Sequence, residues 1–547
     1  PSLAMIPSAY ADSKLYSVLP NNGDGDFTFN RDSSATRVGS NGLIQTVGFF
    51  GNELILSTMV NSVSFPYNTF NEASISGFHA KNTTGTSQRA GTVDELIFVT
   101  GKIYRVNVDV SVVSGNAPFL RVRQAVGTNP TLTSIQLVNG NNIITFTSTD
   151  TLTGILEFSN SAAAEYRVSN VSVKEVTGDQ PRLNYDISNG VVQSCPSLLL
   201  EPASTNVINY SEDFSNSAWT KNNTTVASGF TSPDGTNNAY LMTDDATDSK
   251  HGVYRLDVLS QDGNIYTRSV FVKKGTARYV VLSTRHLPTS SGTSWIYDFN
   301  INNWVLTGST GAGQSIEDYG NGWHRLSISH ISNSNFNNDF SIGISSGATI
   351  ADTSYSGVGD TVHIWGAQVE QQSYATSYIP NFGQSAGVTR VAETCFGAGT
   401  SSTFNSTEGV LYFESSALAL VGGDSRISLS DSTLNNRISF AYSPTASKGY
   451  IIVKINGVSV INNLNVEIGN HLDTKKIAIS YKSGDTKVFL NGVELSIASS
   501  VSFSGGALND LSFESANGSV KFYGNCKDIR VYNEALTDSQ LQTLTTI

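Results

Sequence analysis

Cysteine is scarce in this chain. The 547 residues hold three, Cys195, Cys395 and Cys526, far apart and without metal-ligand spacing, which excludes a disulfide framework and a paired-cysteine metal site. All three are expected to be buried free thiols. Charge is scarce too. Charged residues make up 14 % of the sequence, and the formal net charge is −12. Nucleic-acid binding needs clustered Lys and Arg, and the basic pairs Lys273-Lys274 and Lys475-Lys476 stand alone, so no nucleic-acid partner is expected. No apolar run reaches the ~18 residues of a membrane-spanning helix, so membrane insertion is not expected. The stretch Pro1 to Pro7 lacks the basic start and apolar core of a signal peptide, and synthesis and folding in a cytoplasm are the expectation. Coiled-coil heptads are also missing.

What is present in quantity is Ser, Thr, Asn and Gly among β-branched residues, with mean hydropathy near zero. That composition suits solvated β-sheet surfaces and turns. Phe27-Thr-Phe29, Ala35 to Val38 and Leu43 to Val47 read as short strands, the last two joined by the hairpin signal Asn41-Gly42. Residues 51–178 alternate through Ile103 to Val112, Phe119 to Arg123, Ile143 to Thr147, Gly154 to Phe158 and Tyr166 to Val173, the pattern of a β-sandwich or jelly roll. Residues 209–380 repeat it: Gly101-Lys-Ile-Tyr-Arg105 is echoed by Gly263-Asn-Ile-Tyr-Thr267, and Tyr166 to Val173 by Val362 to Val369. A spacing of about 160 residues is too long for a solenoid, so two related jelly rolls are predicted. Residues 407–547 form a last β-domain. It includes the hairpin around Asn491-Gly492 and closing strands at Val520 to Tyr523 and Asp528 to Tyr532. Thr537-Asp-Ser-Gln540 is a capping box ahead of Leu541 and Leu544 and predicts one short terminal helix. The fold class is all-β: tandem sandwich domains ending in that helix.

The stretch Pro196 to Asn206 lies between these modules. Its apolar run Leu198-Leu199-Leu200 stops at Glu201-Pro202, since proline lacks an N–H and disfavours helix before it. It predicts a short buried strand at the junction of the modules.

Candidate chemistry is sparse. Glycoside hydrolysis needs two carboxylates facing each other across a cleft. Asp244-Asp245 with Asp248, and Glu317-Asp318, sit in polar, turn-rich sequence and read as solvated loops. No Gly-x-Ser-x-Gly elbow or His-rich metal pattern stands out, so no enzyme is expected. Asn22, Asp24 and Asp26 resemble the start of a calcium loop, but Phe27 and Asp32 stand near the places where such a loop needs Gly and Glu. All five tryptophans fall in residues 209–380. Aromatic rings with a polar handle suit sugar faces. Trp219, Trp323 and Trp365 read as core; Trp295 and Trp304, flanking Tyr297, are the exposed carbohydrate-binding candidates.

Asp26 to Val38, Asn41 to Gln45, Pro181 to Tyr185, Cys195 to Pro202 with Thr205-Asn206, Tyr210 to Phe214 with Trp219, Thr376 to Pro380 and Val388 to Arg390 together resemble a motif set of tailed-bacteriophage virion surface proteins. Those are tail-fibre, tail-spike and capsid-decoration components. The ending Asp528 to Leu536 with Gln540-Leu541 is similar to the close of a laminin-G-like, concanavalin-type sandwich. The resemblance implies an attachment and connector segment at 1–50, an inserted carbohydrate-binding-module-like jelly roll at 51–178, connector strands at 179–208 in which Leu198 to Leu200 finds its partners in residues 26–47 and 376–391, a second such jelly roll at 209–380, a connector at 381–406 and the laminin-G-like domain at 407–547. It implies a tail-fibre-like or decorating protein on the virion surface that contacts other virion proteins through residues 1–22. By the same resemblance it self-associates as a homotrimer and binds host-surface or environmental glycans. A purely stabilising decoration protein and a polysaccharide-degrading spike are the alternatives. No cofactor is implied, with calcium as the one ion to consider. Some relatives hold calcium at the sandwich edge, which adds Asp424, after Gly422-Gly423, to Asp24 and Asp26 as candidate ligands.

Overall fold

The computed structural model describes residues 1–11, 13–31, 33–48, 53–54, 56–92, 96–100, 102–124, 131–176, 179–255, 263–284, 293–308, 313–331, 340–384, 387–418, 423–444, 447–495 and 501–547. The protein is all-β, and its described helical segments are a 3-10 turn at Ile350–Thr353 and the helix Asp538–Thr545. The chain forms two compact units, one of Pro1–Gly48 with Asp179–Ile547 and one of Phe49–Gly178.

The unit Phe49–Gly178 is a sandwich of two six-stranded antiparallel sheets. Strand Ile103–Ser114 is central to one of them, pairing with Gly140–Thr147 on one side and Ala164–Val176 on the other. Its alternation, Tyr104, Val106, Val108 and Val110, puts four side chains into the core, as a period of two demands. The other sheet runs through Thr131–Gln136, Phe119–Gln124, Leu152–Asn160, Gln88–Gly91 and Val60–Asn61.

Residues 220–370 of the other unit form a second sandwich with the same strand order. Thr224–Phe230, Ala239–Asp244, Thr361–Glu370, Ile265–Lys274 and Trp323–Ile331 occupy the positions of Thr69–Asn71, Phe78–Asn82, Ala164–Val176, Ile103–Ser114 and Gly140–Thr147. The sequence echoes therefore fall on topologically matching strands. Gly313–Asp318 adds an edge strand to this sheet. The acidic clusters are loop residues only in part: Asp245 is an exposed loop residue and Asp248 is exposed, but Asp244 ends a strand and is buried, and Glu317 and Asp318 lie in Gly313–Asp318. Asp244 accepts hydrogen bonds from the Tyr355 hydroxyl (2.6 Å) and the amides of Gly359 (2.6 Å) and Asp360 (2.7 Å).

The C-terminal sandwich packs an eight-stranded sheet on a five-stranded one. Its strand Gly524–Tyr532 pairs with Glu408–Ala417 on one edge. On the other edge lie, end to end, Leu3–Met5 and Ser197–Leu200. Leu198–Leu200 is thus paired at long range, but with Gly524–Cys526 and with Arg182–Asn184, not with residues 26–47 or 376–391. All four residues of Ser197–Leu200 are buried, which a sheet interior suits better than an independent connector. The downstream strand Ser204–Asn206 is the one that meets Val388–Arg390, and Phe27–Asn30 pairs with Thr394–Phe396. Residues 1–22 do not stand apart either: Leu3, Met5 and Leu15 are fully buried in the C-terminal core.

Two smaller expectations change. Val520 to Tyr523 is not a strand; a bridge between Glu514 and Lys521 closes a turn there. Cys195 is exposed, whereas Cys395 and Cys526 are buried in one core. The terminal helix is capped as the sequence predicts: the Thr537 amide donates to Gln540 Oε1 (2.9 Å) and the Gln540 amide to Thr537 Oγ1 (3.4 Å). Leu541 is buried against Val410, Tyr412, Ala478 and Phe489.

At the meeting of the connector segments lies a buried ionic network. Arg31 Nη1 contacts Glu393 Oε1 at 2.9 Å. Arg182 binds Glu393 through Nε (2.8 Å) and Nη2, and Glu201 through Nη1 (2.7 Å). Arg390 Nη1 reaches the same Glu201 oxygen at 2.9 Å. The Glu201 amide donates to Glu393 (2.9 Å), and Ser377 donates to Glu201 through its amide (2.8 Å) and hydroxyl (2.6 Å). The three guanidiniums are fully buried. Burial alone would raise Glu201, but Arg390 and Arg182 outweigh it and hold its carboxyl down at about 2.

Nearby, the Tyr210 to Trp219 motif packs as core, with Trp219 Nε1 donating to the Tyr210 carbonyl at 3.0 Å. Within it Glu212 takes hydrogen bonds from Tyr378 (3.0 Å) and Asn238 (2.8 Å). Burial and then the neighbouring Asp234 push its carboxyl up to about 8.

Two outcomes follow from these groups. Replacing Arg182 or Glu393 alone by Ala leaves its partners buried and charged, so a loss of about 3–5 kcal/mol is expected in denaturant unfolding. Glu212 keeps a proton in the folded state that the unfolded chain releases near pH ~4.3. Its contribution to stability is therefore complete below that pH and lost as pH rises through 8. Glu212→Gln is expected to melt with wild type at pH 4 and about 2–4 °C above it at pH 8.5; equal melting at both values would remove the effect.

Candidate functional site

A cleft of about 1100 Å³ opens beside the edge strand Gly313–Asp318 of the second sandwich. One wall is that strand and the turn following it, with Glu317, Asp318, Tyr319, His324 and Arg325. The other is the hairpin Ile187–Ser188 and Val191–Val192. Its turn residues Asn189 (φ 50°) and Gly190 (φ 75°) are both left-handed, the backbone a two-residue hairpin turn requires and Asn-Gly supplies. Asp318 ties the walls together, accepting from the Gly190 amide (2.6 Å) and the Gly320 amide (2.8 Å). Tyr185 and Tyr374 complete an aromatic lining with Tyr319, and Glu201, Thr376 and Ser377 bring the ionic network to the cleft.

The charges are positioned by sheet register. Glu317 lies directly opposite Arg325 across the strands. Arg325 donates to the Thr376 carbonyl (2.6 Å) and Ser269 hydroxyl (3.0 Å) and sits over the Phe271 ring at 5.2 Å. Burial raises the Glu317 carboxyl above its ordinary value, with Arg325 opposing. Burial also lowers His324, Asp318 opposing, so its imidazole is neutral at pH 7. Consecutive residues in a strand point to opposite faces, so Glu317 and Asp318 do not form a facing pair. Asp318 is occupied by two amides and Glu201 by two arginines.

The aromatic candidates fall elsewhere. Trp295 is 0 % exposed, so its expected exposure is corrected, and Tyr297, the candidate between the two tryptophans, is 0 % exposed as well. Their strand Ser294–Asp298 is flanked on both sides, by Tyr279–Ser283 and Asn303–Leu306. The backbone of Gly308 lies on the Trp295 indole so closely that a Cβ there would fall 2.2 Å from it. Trp304, on the edge strand, is half-buried with its ring 5.9 Å from Tyr297. The Tyr297 hydroxyl donates to Asn302 (3.1 Å) and its ring lies 5.8 Å from His324, so the pair stands behind the cleft wall. Trp219, Trp323 and Trp365 are buried, as expected of the junction motif for the first and of their strands for the other two. The cleft tyrosines carried only a turn signal, Tyr319-Gly-Asn-Gly322, and the end of the Pro181 to Tyr185 motif.

The calcium candidates are not brought together. Asp24 exchanges hydrogen bonds with Asn22 (2.8 and 3.1 Å), and Asp26 accepts from the Ser17 amide at 2.9 Å. Asp424 pairs with Arg426 at 2.7 Å. Asp32 and Gly422 lie outside the described residues. Among the described residues no group of three or more His, Cys, Asp or Glu side chains is arranged to hold a metal ion, and no helix is long and apolar enough to cross a membrane.

No family model matches the chain, and no curated protein matches it. Among solved structures, the tandem CBM22 domain from Paenibacillus barcinonensis Xyn10C is similar at 12 % identity and a TM-score of 0.21, covering 59 % of this chain and 99 % of that one. A Trypanosoma rangeli sialidase mutant displaying trans-sialidase activity is similar at 11 % identity and a TM-score of 0.23, covering 94 % and 96 %. Scores this low do not establish a common fold.

Asp318→Ala removes the shared acceptor of the Gly190 and Gly320 amides. It is expected to cost about 1–3 kcal/mol locally, read as faster hydrogen exchange at Gly190 with the second-sandwich core amides unchanged. Unchanged exchange at Gly190 would show that the hairpin is held otherwise.

Proposed function

We propose that this chain is a non-catalytic surface component of a tailed-phage virion that binds host-surface or environmental glycans through the cleft beside Gly313–Asp318. The observation that carries the binding role is the cleft's lining: Tyr185, Tyr319 and Tyr374 offer rings to sugar C–H faces, and Glu317 and Asn302 offer groups to sugar hydroxyls. Binding is favoured over hydrolysis because Asp318 is held by two amides, Glu201 by two arginines and Asp186 by Lys527 (3.2 Å), which leaves Glu317 without a free second carboxylate. The virion setting rests on the motif set running from Asp26 to Arg390. Attachment through other virion proteins and assembly as a homotrimer belong to the same reading.

Glycan-array binding by the whole chain, compared with Tyr319→Ala and Tyr374→Ala, tests the site. About a tenfold or greater loss is expected for each variant, with the fold retained; Tyr319→Ala also lowers melting, since its ring packs on Phe271 at 4.7 Å. Binding that survives both substitutions would move the site away from the cleft, and release of reducing ends from any bound glycan would replace the binding role by an enzymatic one. Antibody labelling of virions tests the setting, which fails if the chain is absent from the particle.

A further inference from the structure

The outer face of the inserted sandwich carries an unusual set of charges. In strand Phe119–Gln124, Leu120 and Val122 point into the core, so Arg121 and Arg123 share the opposite face. Arg121 is directly opposite Glu157 on the neighbouring strand, and Gly91 is opposite Glu157 on the other side. Arg123 Nη2 binds Glu157 Oε2 at 2.6 Å, while Arg89 and Arg121 stand farther off, at 3.6 and 3.7 Å. Three guanidiniums therefore share one carboxylate, on a chain whose net charge is −12.

Arg89, Gly91, Arg123 and Glu157 line a cavity of about 270 Å³, with Arg121 beside it. Gly91 gives it a backbone floor, since a Cβ there would lie 2.0 Å from the Leu156 carbonyl oxygen. Phe65, 46 % exposed, stands at the rim with the Arg89 guanidinium 4.6 Å from its ring centre. Arg89 Nε and Glu157 Oε1 are buried without hydrogen-bond partners. A buried donor without a partner costs free energy, and a ligand that accepts from Arg89 removes that cost.

We propose that this pocket binds the carboxylate of an acidic saccharide. Arg89 supplies the planar donor fork that matches a carboxylate, Phe65 supplies a ring for the sugar face, and Arg123 stays paired with Glu157. The cavity volume suits one or two sugar rings. The anion preference stands on the guanidiniums alone; that a sugar bears the anion rests on the reading of the chain as a glycan binder.

Calorimetric titration of the whole chain tests this. The probes are oligosaccharides bearing galacturonate, glucuronate or a nonulosonate, their neutral counterparts, and a sulfated neutral oligosaccharide. At least one carboxylated probe is expected to bind. Arg89→Gln is expected to weaken that binding about tenfold or more. Arg89→Lys, which keeps the charge and loses the fork, is expected to weaken it too, and Tyr319→Ala in the cleft to leave it unchanged. The inference is overturned if no carboxylated probe binds, if neutral or sulfated probes bind as well as carboxylated ones, or if both Arg89 variants bind like wild type. Neutral glycans lost only in the Tyr319 variant, with no carboxylated probe bound, would retain the cleft and reject this pocket. Carboxylate binding lost in the Arg89 variants, with no glycan sensitive to Tyr319, would do the reverse.

Discussion

Three buried guanidiniums and two buried carboxylates hold this chain's segments to one another. Arg31 and Glu393 are 362 residues apart, and Arg182 and Glu393 are 211 apart. Closing loops of that length costs entropy that grows only slowly with length, but the closure must still be specified. Apolar contacts are non-directional and would accept several registers of short strands such as Arg182–Asn184 and Val388–Arg390. A guanidinium fork accepts few. Arg182 in particular needs Glu393, Glu201, the Thr36 carbonyl (3.0 Å) and the Ser377 hydroxyl (2.7 Å) together, and lysine has no fixed fork with which to do this. Ion burial is costly, so this arrangement is better understood as fixing which segments meet than as adding much net stability.

The same network explains how a whole domain sits inside a small connector. Arg31 donates to the Val47 carbonyl (3.2 Å) and the Gln180 carbonyl (3.1 Å), and its amide donates to Asp179 (2.6 Å). One side chain thus holds the points at which the chain departs toward residue 49 and returns from residue 178. With those ends fixed, the connector's register does not depend on what lies between them. A sandwich with the strand order of the second one can occupy the gap without altering the strands Ala35–Val38 and Arg182–Asn184 on either side.

Much of this architecture was legible in the sequence because β-alternation is a local signal. Ile103 to Val112 and Val362 to Val369 each show their buried face directly, and Thr537 with Gln540 writes out the helix cap. Pairing partners are not local. Leu198 to Leu200 reads as a buried strand from its own residues, but nothing in it specifies Gly524–Cys526 rather than residues 26–47. The motif residues Arg31, Arg182, Glu201 and Arg390 carry no local sign of pairing, and Glu393, the acceptor that Arg31 and Arg182 share, lies outside every motif. The tryptophans misled for a related reason. Ser294 to Asp298 resembles a strand near a loop, but its exposure depends on a flanking strand and on Gly308, neither of which periodicity reveals.

These errors have a common direction, and it bears on where a sandwich protein can bind anything. A two-sheet core is about 10 Å thick, so a large ring on an inner strand is used up in filling it, as Trp295 is, while Trp323 and Trp365 are used up on the other face of their sheet in a second cluster with Phe271, Ile44 and Tyr378. Rings and charges remain available only at edge strands, turns and outer faces. Tyr319 is available because Gly313–Asp318 ends its sheet and a turn follows. Arg89 and Arg121 are available because alternation gives their neighbours Ala90, Leu120 and Val122 to the core. Under the proposed binding role, recognition therefore falls to tyrosine, phenylalanine and arginine at the margins of the sheets, and the choice of ligand to the charge each margin leaves unbalanced.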